Sequence, residues 1–249
     1  MIQCISYLIM KNEFLTQINT YLPNVDYCSF RFVNKYTNII SVTRNVLEPI
    51  EIIEDEGLMV TVIHNGGYGY SATSDLTKKG ILIATEEAKK WADYSSGKLI
   101  HTPAPPDSSI DNGKYFTHEK DGWSKESNKD KVDYLMEINK SLKSKPTISN
   151  WGASFRYNKL ETLFTDTNGS KFRQNISYIL PQLVACAEYK KQIQTRTFGG
   201  HAHARQIGYN FLKESDLINQ AKQIANDAIE LSMAPNCPSG NIDALIAPD

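Results

Sequence analysis

A series of strand-like segments that ends at a glycine pair constrains the fold of this 249-residue chain more than any other feature. Residues 28–33 alternate apolar and polar side chains, as in a strand with one apolar face, and residues 38–46 and 58–63 repeat the signal. The Asn-Gly-Gly sequence at 65–67 predicts a hairpin turn, because glycine adopts positive φ without a steric penalty. The segment therefore predicts antiparallel strands joined by at least one tight turn.

The chain then changes from the period of a strand to that of a helix. A short strand is predicted over 68–72, and after Thr77 apolar residues recur at helical spacing, at Ile81, Ala84, Ala88 and Trp91. These four positions share one face of a helix, which can lie across a sheet. A further helix is predicted upstream of Pro23, so residues 1–96 are expected to form an N-terminal α+β domain.

A second α+β domain is expected after a proline-rich connection. Residues 97–124 are rich in proline, glycine and serine, which disfavour helices and strand pairing, so they are predicted to be a linker. Residues 125–235 contain a helix with Ser127 and Asp130 in capping-box positions, an Asn-Gly hairpin at 168–169 and a final amphipathic helix. The predicted fold class is α+β, with two sheet-plus-helix units, antiparallel or mixed sheets and flanking helices.

Composition argues against several classes of function. The formal net charge is −1 and no long basic run occurs, which argues against nucleic acid or an anionic membrane as a partner. The four cysteines are far apart and form no CxxC pair, a spacing that fits free thiols in a reducing cytosol. No apolar run approaches the ~20 residues that span a bilayer. The sequence therefore predicts a cytoplasmic protein.

Acidic and aromatic residues on the predicted strands each have a structural and a functional interpretation. The acidic residues within 51–56 stand just before a predicted strand, where carboxylates are usually solvated instead of catalytic. Most strand aromatics are expected to fill the core, and an exposed remainder would form a groove that receives an extended peptide as an added strand. The aromatic residues in question are Phe30, Phe32, Tyr68, Tyr70, Phe155 and Tyr157.

The order of these features resembles the TldD/PmbA family of metallopeptidases. The strands, glycine turn and helix over 27–94 are similar to the family's N-terminal domain. The TDTNGS hairpin at 165–170, the segment FGGHAHARQIGYNFL at 198–212 and the helix after it are similar to its central domain. The last residues, NIDALIAPD, are similar to the strand that precedes the family's HExxxH helix.

The resemblance implies a zinc peptidase from which one part is missing. In the family, zinc is bound by the histidines of HExxxH and a further ligand, and the glutamate acts as general base on zinc-bound water. No HExxxH occurs in this sequence, and residues 236–249 look like the start of a truncated C-terminal domain. The resemblance therefore implies an N-terminal and central scaffold that is inactive alone and holds no cofactor, whereas the full-length family uses zinc. It also implies a homodimer, or a heterodimer with a related subunit, that binds an extended peptide.

Candidate site residues lie in the glycine-rich segment of the predicted central domain. The resemblance implies that Gly199, Gly200, His201 and His203 help to line the peptide cleft, while no catalytic or metal-binding residue is assigned. If this segment were a strand, the two histidines would share one face at positions i and i+2.

Two alternatives differ in chemistry from the peptidase scaffold. One is a naturally short, non-catalytic module for peptide binding or dimerisation. The other is a metal enzyme in which the two histidines of the HAH sequence bind a metal ion with His64 or His118 as a third ligand.

Overall fold

The computed structural model of this chain describes residues 18–106, 112–118, 122–236, 239–241, 243 and 245. Most of the helix predicted upstream of Pro23 lies outside these residues, and the described part of it is a short 3-10 turn, Ile18–Tyr21. The strand predicted near the end of the chain, over 241–247, also falls largely outside them.

The described residues form one mixed sheet of eight strands with flanking helices. The central strand order is β4-β3-β1-β6-β7-β5, with β2 paired to β1 and β8 paired to β7. The pairs β1/β2, β3/β4 and β7/β8 are antiparallel, and β5 is parallel to β7. The strands are β1 Tyr27–Thr43, β2 Val46–Leu47, β3 Glu51–His64, β4 Gly67–Thr73, β5 Asn112–Phe116, β6 Ile148–Asp166, β7 Lys171–Tyr189 and β8 Gln192–Gly199. The predicted α+β class is confirmed.

Four helices longer than a 3-10 turn are described: α1 Lys78–Ser95, α2 Asn128–Leu142, α3 Asn210–Glu214 and α4 Leu217–Met233. Helix α2 starts as its capping box predicts, because the Ser127 hydroxyl oxygen accepts the Asp130 N–H at 3.1 Å. Within the described residues, no helix is both long and apolar enough to cross a membrane.

Contacts along the chain divide it into two compact units that are interleaved in sequence. The first unit comprises residues up to Tyr36, Glu54–Phe116 and Lys159–Ile176. The second comprises Thr37–Ile53, Thr117–Asn158 and the residues from Ser177 onward. Contiguous domains were expected from the sequence at 1–96 and 125–235, with a linker at 97–124. These domain bounds differ from the two interleaved units and stay a prediction.

Helix α1 covers one face of the sheet in the first unit. Its buried positions include Ile81, Ala84 and Ala88, as predicted. Trp91, which was expected on the same face, is 58% exposed, and Ala92 is buried instead. The helix approaches β4 so closely that only a small side chain fits at this end, which explains why the tryptophan is directed outward.

Two expectations about local structure were wrong. The proline-rich segment 97–124 was expected to be free of strands, but its centre forms β5, which pairs from Asn112↔Lys171 to Phe116↔Asn175. The acidic residues within 51–56 were placed before a strand, but they lie on β3 itself, where most of them are exposed. The hairpins predicted at 65–67 and 168–169 both join strands that neighbour each other in the sheet.

Candidate functional site

Strand β8 forms an edge of the sheet in the second unit. It pairs with β7, and no strand in the described part of the chain pairs with its other side. The Gly200 N–H donates to the Pro181 carbonyl at 2.8 Å, which fixes the alternation of this antiparallel ladder. The N–H groups of Ile193, Thr195 and Thr197 consequently point away from β7. Such a row of unpaired backbone groups is a template for one more strand.

The predicted site residues form an excursion at the end of this edge strand. Gly199 and Gly200 have positive φ values of 98° and 72°, and a Cβ atom at Gly199 would lie 2.0 Å from the Pro181 carbonyl oxygen. The chain returns at Arg205, which exchanges backbone hydrogen bonds of 3.0 and 3.1 Å with Ile179 of β7. The glycines are therefore needed for the chain to leave the ladder at this point.

The two histidines do not share a face. They lie on a 3-10 turn, His201–His203, and not on the strand that the metal hypothesis required. With three residues per turn, side chains at i and i+2 point in different directions. His203 is half-buried, with its ring 4.5 Å from the Phe198 ring and its Nδ1 3.3 Å from the Gly199 carbonyl oxygen. His201 is exposed at the tip of the excursion.

The excursion is held in place from its far end. The Arg205 guanidinium donates to the carbonyl oxygens of Ala202 and Ala204 at 3.3 and 2.9 Å, and it lies 6.0 Å from the centre of the Phe211 ring. Because the excursion is fixed at this end of β8, it can limit how far a strand added to the unpaired edge of β8 extends.

The structure provides no ligand set for a metal in the parts of the chain that it describes. Within them, no group of three or more histidine, cysteine, aspartate or glutamate side chains is arranged to hold a metal ion. The proposed third ligands are separately placed: His64 Nδ1 lies 3.9 Å from Asp26 Oδ2, and His118 is exposed.

A second surface, which the sequence indicated only in part, is the face of the first unit's sheet opposite α1. We call it the open face. Phe30 and Phe32 point toward α1 and are buried, whereas Tyr68 and Tyr70 are 44% and 46% exposed on the other side. Side chains of the open face alternate with the core residues along each strand. They are Arg31, Val33, Met59, Tyr68, Tyr70, Ala72, Leu160, Thr162, Phe164, Phe172 and Gln174.

The edge of β4 is less available than that of β8. The backbone N–H and carbonyl of Tyr68 both bond to the Ser95 hydroxyl of α1 at 2.8 Å. The outward groups of β4 are therefore partly satisfied by the helix, which protects this edge from pairing with another strand.

A family model matches the first part of the chain. Residues 28–92 match the family model described as PmbA/TldA metallopeptidase domain 1. The resemblance inferred from the sequence is thereby confirmed. A search of curated proteins found no match.

Solved structures share the fold over nearly the whole chain. A candidate modulator of DNA gyrase from Thermotoga maritima is 14% identical with a TM-score of 0.66, covering 94% of this chain and 50% of its own. A candidate modulator of DNA gyrase from Bacteroides thetaiotaomicron is 13% identical with a TM-score of 0.62, covering 90% and 49%. TldE from Thermococcus kodakarensis is 16% identical with a TM-score of 0.57, covering 90% and 47%. This chain thus spans about half the length of these structures.

Proposed function

We propose that this chain, which carries the first domain of the PmbA/TldD metallopeptidase family over residues 28–92, supplies a peptide-binding scaffold to a zinc peptidase of that family. The match of this domain is the observation that carries the proposal. The shared fold of the solved structures, which extends through both units, supports it.

The described residues fit the binding of peptide and not the binding of zinc. Because they offer no ligand set for the metal, we derive no step through zinc for this chain. In a complete peptidase of the family, zinc would activate the water that attacks the peptide bond. The part of this chain is to bind and orient the peptide.

The free edge of β8 is the surface we assign to the extended peptide. A peptide added as a strand would accept hydrogen bonds from the outward N–H groups of Ile193, Thr195 and Thr197 and donate to outward carbonyls. Backbone bonding of this kind tolerates many side-chain sequences. The exposed His201 at the end of the edge would contact the peptide where the excursion stops the added strand.

The proposal also includes the assembly of this chain into a dimer. The chain would act in the cytoplasm as a dimer, either with a second copy or with a related subunit, and the partner or a further part of the protein would supply the zinc site.

A proline substitution tests the role of the β8 edge. Thr197→Pro removes one outward N–H while leaving the inward bonds to β7, since edge strands tolerate proline at such positions. Binding of an unstructured, fluorescently labelled peptide, measured by anisotropy, is expected to weaken roughly tenfold, because one backbone bond is worth about 0.5–1.5 kcal/mol and the ring also obstructs the edge.

The matched control is Thr197→Ala, which retains the N–H and is expected to bind the peptide as the natural chain does. The same peptide with N-methylated backbone amides should bind to neither the proline variant nor the alanine variant. Unchanged peptide affinity in the proline variant, with an intact circular dichroism spectrum, would refute binding at this edge.

A non-catalytic module that only binds peptides or dimerises is the second candidate, because the sequence contains no HExxxH and the described residues form no metal site. Incubation of a peptide with the chain, zinc and a complete related subunit distinguishes the two. Cleavage that depends on the chain supports the peptidase scaffold, and peptide binding without any cleavage supports the module.

A further inference from the structure

A cavity of about 590 Å³ lies in the open face of the first unit. Strands β1, β6 and β7 form its floor, on the side of the sheet that α1 does not cover. Its volume falls within the range of sites that bind small organic molecules, which is about 300–1,000 Å³.

One half of this cavity is apolar. The rings of Phe164 and Phe172 lie 6.0 Å apart with their planes inclined at 51°, and Leu160 lies beside them. Phe172 is 37% exposed, so part of its ring faces the cavity without a covering residue. A flat or branched apolar group bound here would remove this aromatic surface from water.

The other half offers hydrogen-bond donors and one positive charge. Arg31 is the charged residue of the lining, and its guanidinium Nη2 donates to the Met59 sulfur at 2.9 Å. A thioether is a weak acceptor, so most of the five N–H groups of the guanidinium stay available. Thr162 and Gln174 line the same cavity, and neither side chain makes a hydrogen bond to another described residue. Among the described residues, no carboxylate lines the cavity to neutralise Arg31.

We propose that this cavity binds an aromatic carboxylate of about the size of N-acetyl-phenylalanine. The carboxylate would accept a charge-assisted, two-pronged hydrogen bond from Arg31, a geometry that suits a guanidinium better than an ammonium group. The aromatic group would pack against Phe164 and Phe172. Thr162 or Gln174 would donate to an oxygen of the ligand that lies outside the carboxylate. This binding requires neither zinc nor the β8 edge. A failure of the peptidase proposal would therefore leave the binding proposal untouched, and the reverse also holds.

The test compares two ligands that differ in one group, a charged carboxylate in the first and an uncharged carboxamide in the second. N-acetyl-phenylalanine and its uncharged C-terminal amide are titrated into the 249-residue chain and followed by protein-observed NMR. We expect the acid to bind at least about tenfold more tightly than the amide, because charge-assisted hydrogen bonds are about twice as strong as neutral ones. The backbone amide signals of Thr162, Phe164 and Gln174 should move on binding, which locates the site.

Three variants assign the binding to named groups. Arg31→Gln is expected to abolish the preference for the acid, whereas Arg196→Gln, on the exposed strand β8 of the second unit, should preserve it. Phe172→Ala should weaken both ligands, and it tests the cavity even if the Arg31 variant does not fold. Absence of binding at millimolar concentration, equal affinity for acid and amide, or a preference that survives Arg31→Gln would each overturn the proposal.

Discussion

At the scale of single residues, the second unit contains a buried aromatic and cationic cluster. The Trp123 ring stacks on Tyr157 at 5.5 Å, and its Nε1–H donates to the Asn38 side-chain oxygen at 2.9 Å. The Lys131 ammonium lies 4.2 Å from the Trp123 ring centre and donates to a backbone carbonyl at 2.9 Å. Tyr209 is fully buried 6.0 Å from the same ring. Lys131 and Tyr209 therefore both have ionisable groups in a poorly solvated environment.

Tyr209 is expected to make the protein lose stability at alkaline pH. Burial raises its pKa to about 12, whereas an unfolded chain ionises tyrosine near pH 10. The unfolded state therefore releases the proton first, so the stabilising contribution is complete below pH 10 and is lost as the pH rises from 10 toward 12. The slope is about 1.4 kcal/mol per pH unit for one such group.

Comparison with Tyr209→Phe isolates this contribution. The variant lacks the ionisable group and also lacks a buried hydroxyl that has no hydrogen-bond partner among the described residues. Urea denaturation should show equal or greater stability at neutral pH and a smaller loss above pH 10. Burial lowers the pKa of Lys131, which acts in the opposite sense in both proteins and cancels in the difference. Identical alkaline profiles would show that Tyr209 does not contribute.

At the scale of elements, the packing of α1 on β4 depends on two glycines. A Cβ atom at Gly69 would lie 1.8 Å from the Ala88 carbonyl oxygen, and one at Gly67 would lie 1.9 Å from that of Ala92. These clashes involve the backbone of the helix, which side-chain rotation cannot relieve. Gly67 thus does more than follow the turn that the sequence predicted, and Gly69 on β4 allows the same close approach of the helix.

Gly69→Ala is expected to destabilise the protein by roughly 1–3 kcal/mol, the usual cost of overpacking, because α1 must move away from the sheet. Thermal unfolding followed by circular dichroism measures the effect. Gly240→Ala is the control, since a Cβ atom there would meet no atom within 4 Å. An equal melting temperature for the two variants would contradict the close packing of helix and strand.

Local sequence patterns predicted where strands, turns and helix starts occur better than they predicted which distant segments pair with each other. The alternation over 28–33, the glycine turn and the cap at Ser127 each depend on neighbouring residues, and the structure contains all three. The excursion at Gly199 depends on the return of Arg205 to Ile179, a pairing between residues far apart in sequence. The assignment of the histidines to a peptide cleft therefore stays a prediction, and the strand geometry that the metal hypothesis required for them was wrong.

At the scale of the whole molecule, the fold class was predictable and the division of the sheet was not. Alternating patterns indicated strands, but they did not show that β1 and β3 each continue through residues of both units. Alternation also defines two faces of a strand without stating which one a helix covers. For this reason the sequence indicated the open face only in part and did not indicate its Arg31 cavity, because the lining residues appear in sequence as ordinary polar and aromatic strand positions.

The Cys28 thiol should report the global stability of the protein. It is fully buried in the core beneath α1, and desolvation raises its pKa to about 12, so the reactive thiolate is scarce at neutral pH. Alkylation mapped by mass spectrometry should modify the half-exposed Cys186 in the native protein and leave Cys28 intact. Reaction of Cys28 should begin only at the urea concentrations that unfold the chain, because reaching the thiol requires opening of the core. Native-state labelling of both thiols at similar rates would mean that this core opens locally, without unfolding of the rest.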